Sequence, residues 1–139
     1  MSRHLLALLL LLPLTVSLTM STKAGAVEVV ASIRPLALIA DAVMAGRGQA
    51  RQLVPDGASS HEYALRPSDR ALLARADLVL WHGLYLEAQM EDFLLDLGRH
   101  RRVVAVAEAL PREALIASVA YPDRFDPHVW MAPDLWSQA

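Results

Sequence analysis

The sequence predicts an α/β fold: an open parallel sheet with flanking helices, forming one domain. Three observations carry this. Short apolar runs recur at residues 28–33, 51–54, 78–81 and 103–106. Stretches with helical periodicity separate them, and the connections are short and marked by Gly or Pro. Alternation of this kind requires crossovers, and crossovers make parallel strands. The runs also lack a polar face, as expected of strands covered on both sides. Their crossovers should be right-handed.

Residues 28–33 are a β-branched strand, broken by Arg34-Pro35. Pro35 suits the first turn of a helix, where a missing N–H costs nothing. Leu36, Ile39, Ala40 and Val43 then recur at helical spacing until Gly46-Arg47-Gly48. Arg51-Gln52-Leu53-Val54 is the second strand, closed by the turn sequence Pro55-Asp56-Gly57. A loop follows to Pro67. Ser68 or its neighbour is expected to cap the next helix, with Asp69 favouring its positive end. Leu72, Leu73 and Ala76 give that helix its apolar stripe. Residues 78–81 are the third strand, and Gly83 permits the turn after it. Residues 86–97 read as a helix with Met90, Phe93, Leu94 and Leu97 on one face, ended by Gly98. Residues 103–106 are the fourth strand. Pro111 and Pro122 make residues 108–124 partly irregular, and Asp134 is suited to cap a last helix.

The chain has 139 residues, enough for a domain with its own core. Its net charge of −2 and scattered arginines give no nucleic-acid signature. Residues 1–26 have the three regions of a secretory signal peptide: basic Arg3 and His4, a leucine run, and the small-residue cleavage pattern Ala24-Gly25-Ala26. The run is broken by Pro13 and is shorter than the roughly 20 residues that a bilayer span needs. Cleavage would take 26 residues from 139 and leave 113; losing Arg3 and Lys23 moves the charge from −2 to −4. With no cysteine there is no disulfide, no thiolate metal site and no lipid-anchor cysteine.

In open α/β sheets ligands bind outside the carboxyl ends of the strands. His61 in the second loop and His82 after the third strand therefore share a rim, and His128 in Asp126-Pro127-His128-Val129-Trp130 can fold back to it. Taken singly, a loop histidine such as His61 is usually exposed and without a role; the functional alternative is a metal ligand. Glu62 beside it is suited to orient the ring or to accept its second N–H. Pro127 restricts Asp126 to extended geometry, a stiff way to present His128. Trp130 is expected to pack while His128 faces the cleft. His82 is read as a polar residue at a strand end, with a third ligand as the alternative. His100 sits among arginines that repel a cation. No Ser/His/Asp set, phosphate-binding Gly loop or His-Glu-x-x-His is present, so nothing favours an enzyme.

The residues also resemble a known family. Val30-Ala31-Ser32-Ile33-Arg34-Pro35-Leu36, the stretch from Leu53 to Asp69 around Ser60-His61-Glu62-Tyr63, Ala76-Asp77-Leu78-Val79-Leu80-Trp81, Gly83 to Glu87, and Asp126-Pro127-His128-Val129-Trp130-Met131-Ala132-Pro133 follow one another at family-like spacing. Together they resemble the N-terminal half of the periplasmic zinc- and manganese-binding proteins of ABC transporters, most closely the ZnuA type. The resemblance implies two α/β lobes joined by a long helix, with metal held between them. It implies His61 and His128 as the ligands of the first lobe, with Glu62 and His82 as possible peripheral or orienting groups. A further His and a carboxylate would come from a second lobe. Residues 1–26 are then the signal peptide, 27–133 the first metal-binding lobe, and 134–139 the start of the linking helix, the rest lying beyond this chain.

The expected function is high-affinity zinc capture in the periplasm and delivery to the permease of a zinc ABC transporter, by a monomer that binds no nucleic acid. Manganese or iron is the alternative cargo, and a secreted metal-dependent hydrolase fragment or a metal-linked adhesin is the alternative of another class. Three departures from the family pattern are visible. Ser60 stands where some zinc-type members carry an acid, residues 113–125 form a short loop without His, and His82-Gly83 replaces the usual Asn-Gly. Imidazoles suit zinc and bind it only when neutral, so affinity should fall as pH drops through the histidine range near about 6.5.

Overall fold

The computed structural model describes residues 26–119 and 123–131. The expected signal peptide over residues 1–26 lies outside these apart from Ala26, and the expected linking helix at residues 134–139 lies outside them. The elements run β1 (Val29–Ala31), α1 (Arg34–Met44), β2 (Ala50–Gln52), α2 (Pro67–Arg75), β3 (Leu78–Trp81), α3 (Glu91–Leu97), β4 (Val103–Ala105) and a short α4 (Val106–Ala109). All strand pairs are parallel, in the order β2-β1-β3-β4. The α/β class and the parallel sheet expected from the strand–helix alternation are both present.

The two central strands decide the core. Alternate side chains of a strand point to opposite faces. Val30, Val79 and Trp81 face one way and pack with Leu73 of α2 and Met90 and Leu94 around α3. Ala31 and Leu80 face the other way and meet Leu36 and Ala37 of α1. Thus α1 covers one face of the sheet and α2 and α3 the other. Burial is complete where it matters: Val30, Leu73, Met90 and Leu94 are all 0% exposed.

Several details differ from those expected: β2 covers Ala50–Gln52 rather than 51–54, and Val106 belongs to α4 rather than β4. The cap of α2 is Arg66, not Ser68, and Pro67 holds the first helical position. Asp69 reaches back from the third position to accept the Arg66 N–H at 2.9 Å. A cap supplied from inside the helix is invisible to a search for a capping residue in front of it. The helix expected from residue 86 begins only at Glu91, after a single 3-10 turn over Ala88–Met90. Glu87 is occupied instead in closing the turn after β3. On α1, Val43 is 74% exposed, and Ala37 takes the buried place that periodicity gave to it.

The chain leaves β1 for β2 on one side and returns to β3 on the other, so the strand order reverses between β1 and β3. A crevice opens outside their carboxyl ends at such a reversal. Ser32 follows β1 and His82 follows β3, and both are buried there. Glu87 Oε2 accepts the backbone N–H groups of His82 at 2.8 Å and Gly83 at 3.1 Å. Gly83 has φ 133°, a conformation that side-chain-bearing residues rarely adopt.

Candidate metal centre

His61 lies in the loop between β2 and α2, and that loop is fastened at both ends. Upstream, Arg34 of α1 donates to Asp56 Oδ2 at 2.8 Å, and Gln52 Nε2 donates to Asp56 Oδ1 at 3.0 Å. Downstream, Asp69 Oδ2 accepts from Tyr63 Oη at 2.8 Å and Arg66 Nε at 2.9 Å, and Oδ1 accepts from Arg66 at 3.0 Å. The Arg66 guanidinium holds the Asp69 carboxyl at about 2, well below its ordinary value. Burial and the Asp69 carboxylate raise the Tyr63 phenol, so it stays a donor. His61 itself is exposed at the crest of the loop.

His128 enters from the other end of the chain, just before a 3-10 turn over Val129–Met131. The His61 and His128 ring centres are 6.0 Å apart, tilted by 57°. Two imidazoles sharing a tetrahedral zinc, with Zn–N of about 2.0–2.1 Å, hold their ring centres roughly 5 to 6 Å apart. At 6.0 Å the pair is within about 1 Å of the spacing of two imidazoles on one tetrahedral ion. Both rings line a cleft of about 510 Å³ with Tyr85 and Phe125.

A carboxylate contacts the ring of His128 rather than that of His61. Asp126 Oδ1 contacts His128 Nδ1 at 2.6 Å and accepts the His128 backbone N–H at 2.9 Å. Those two contacts lower the Asp126 carboxyl from its ordinary value, the backbone hydrogen bond contributing most. A carboxylate that accepts the Nδ1 proton leaves the Nε2 lone pair free to ligate. Glu62, the residue expected to orient a ring, is exposed and makes no side-chain hydrogen bond among the described residues. The sequence signal for Asp126 was present in Asp126-Pro127-His128: a two-residue offset lets one carboxylate reach both the backbone and the ring of His128.

His82 is 1% exposed, deeper than a strand-end residue was expected to be. Neither ring nitrogen has a hydrogen-bond partner. Burial, then the neighbouring His128 and His61 rings, push its pKa down to about 4, so the ring is neutral. Trp130 meets both inner histidines edge-on, its ring centre 5.3 Å from that of His82 and 5.3 Å from that of His128. Glu87 Oε1 is also buried without a partner, and burial raises its carboxyl. The Ser32 hydroxyl approaches that carboxylate without completing a hydrogen bond. Among the described residues no three His, Asp or Glu side chains converge on one point.

The structure therefore brings His61 and His128 together, seats His82 beneath Trp130 beside them, and leaves Glu62 outside. The chain is similar to several known proteins. Residues 29–139 match the ZnuA family, zinc-uptake complex component A, periplasmic. The manganese-binding lipoprotein MntA of Bacillus subtilis (strain 168) is 36% identical over 112 residues, 81% of this chain and 36% of its own. The high-affinity zinc uptake system protein ZnuA of Yersinia pestis is 45% identical over 75 residues, 54% of this chain and 24% of its own. The solved structure of the periplasmic zinc-binding protein TroA from Treponema pallidum superposes with a TM-score of 0.69 at 36% identity, over 82% of this chain and 40% of that one. The chain spans well under half the length of each. A parallel four-stranded sheet, matched along the sequence from β1 onward, places this chain in the ZnuA family of metal-binding solute-binding proteins.

Proposed function

We propose that this chain is the first lobe of a periplasmic carrier that captures zinc and delivers it to the permease of an ABC transporter. One observation carries the reading: the His61 and His128 rings lie 6.0 Å apart, with Asp126 on Nδ1 of His128. Zinc is the cargo in this scheme. His61 and His128 each donate a neutral nitrogen to it, and Asp126 keeps His128 in the tautomer whose Nε2 faces the ion. His61 is exposed and receives the hydrated ion first. Two nitrogens from one lobe leave positions open, so movement of that lobe against a second set of ligands changes the ligand count and lets the ion go. Export by a cleavable signal peptide over residues 1–26 belongs to the same proposal.

Manganese is the second reading. It is favoured by the 36% identity to MntA, a protein named for binding manganese, over 81% of this chain. Imidazole nitrogen favours zinc over manganese, which prefers oxygen donors. Competition titrations with each metal on wild-type, His61→Ala and His128→Ala protein distinguish the readings. Zinc preferred over manganese, and lost in both variants, supports the proposal. Manganese preferred reverses the cargo, and unchanged affinity in both variants removes the site.

A further inference from the structure

We propose that His82 is a further metal-ligating side chain of this lobe, joining His61 and His128 on one ion when Trp130 moves aside. The proposal rests on the metal-capture reading above and extends it.

The first argument is that His82 is buried at a cost nothing visible offsets. The side chain is 1% exposed and neither Nδ1 nor Nε2 has a partner. Buried polar groups are nearly always hydrogen-bonded, so an imidazole with both nitrogens dry calls for an unseen partner. An edge-on aromatic contact to Trp130 is a weak substitute.

Position is the second argument. His82 stands directly after β3, at the reversal in strand order where the crevice opens. Its backbone is fixed on both sides: the N–H donates to Glu87, and the C=O accepts from Ala107 at 3.0 Å. The ring therefore has a fixed pivot. It lines a cavity of about 390 Å³ with Tyr85, Phe125 and Asp126, and those three residues also line the cleft that holds His61 and His128.

Trp130 is the third. It touches both His82 and His128 at the same 5.3 Å separation of ring centres. It sits on the 3-10 turn over Val129–Met131, and rotation of that turn is the movement the proposal needs to uncover His82. As they stand, the three imidazoles do not converge among the described residues, which is why movement of Trp130 is part of the proposal. Three imidazoles and a water make a tetrahedral zinc shell, whereas manganese gains little from a further nitrogen. His82 thus serves as a selectivity group for zinc.

The test counts imidazoles. Purified protein carrying equimolar zinc is measured by X-ray absorption at the zinc edge, with competition titrations alongside, for wild type, His82→Asn, His82→Gln, His61→Ala and His128→Ala. The expected result is one imidazole fewer in both His82 variants and zinc affinity lower by about tenfold or more, with manganese affinity unchanged. Equal counts and affinities in wild type and the His82 variants overturn the proposal and leave the two-histidine site standing. If the His82 variants do not fold, His61→Ala measured on residues 1–139 alone decides, because the His82 ring is untouched and no second set of ligands is present: two imidazoles on zinc support His82 as a ligand and one overturns it. Unchanged zinc binding in both His61→Ala and His128→Ala removes the underlying reading, and this proposal with it.

Discussion

Replacing Asp69 by Asn tests how the ligand loop is held. The carboxylate accepts four hydrogen bonds, from Tyr63 Oη, the Arg66 N–H and two Arg66 guanidinium nitrogens. Together these lower its pKa from 3.8 to about 2. At about 1.4 kcal/mol per unit, the shift corresponds to an upper limit of about 2.5 kcal/mol of folding stability. The Asp69 side chain is only 7% exposed, but that of Arg66 is 60% exposed, so water screens the guanidinium. A net contribution of about 1 to 2 kcal/mol remains, similar to the loss of a helix cap.

The pH dependence has a definite sign. A carboxyl whose folded pKa is depressed contributes stability above its unfolded value and loses it as pH falls through the folded one. Urea unfolding followed by circular dichroism should find Asp69→Asn less stable than wild type by about 1 to 2 kcal/mol near neutral pH. The gap should close as pH falls from about 4 to about 2, because protonated Asp and Asn then offer similar groups. A gap that stays constant over that range, or no gap at neutral pH, refutes the argument.

Asp126→Ala frees the His128 ring to change tautomer, and zinc affinity should fall by about 10- to 100-fold in a competition titration, with the unfolding midpoint little changed. An unaltered affinity would show that Asp126 does not orient the ring. Gly83→Ala forces a side chain into φ 133°; the nearest atom is 3.9 Å from the added Cβ, so strain rather than collision should cost about 1–3 kcal/mol in urea unfolding. Leu73→Ala empties a site that is 0% exposed under the central strands and should cost about 2–5 kcal/mol, and a loss below about 1 kcal/mol would mean that the α2 face is not close-packed.

The strands and their parallel order were legible because each strand is a local apolar run and each helix a local periodicity. Periods of 2 and 3.6 are properties of neighbouring residues. His61 and His128 were legible for a similar reason: each sits in a short stretch whose turn and proline residues show in the chain order. Arg66 as the N-cap of α2 was not, because its N–H is satisfied by Asp69 from the third helical position and Arg66 gives no sign of it. Nor was the exposure of Val43, since periodicity places a residue on a helix face without saying where the sheet ends.

By itself, then, the sequence determined the class of fold, the loop that carries His61 and the Asp126-Pro127-His128 block. Only the tertiary structure decided that residues 67 positions apart bring their rings to 6.0 Å. It also decided that Asp126, not Glu62, is the carboxylate in contact with a ligand-candidate ring, and that His82 lies dry beneath Trp130. The physical reason is common to all three. Burial and distance between remote residues depend on how the sheet is crossed and covered, and no local pattern records that.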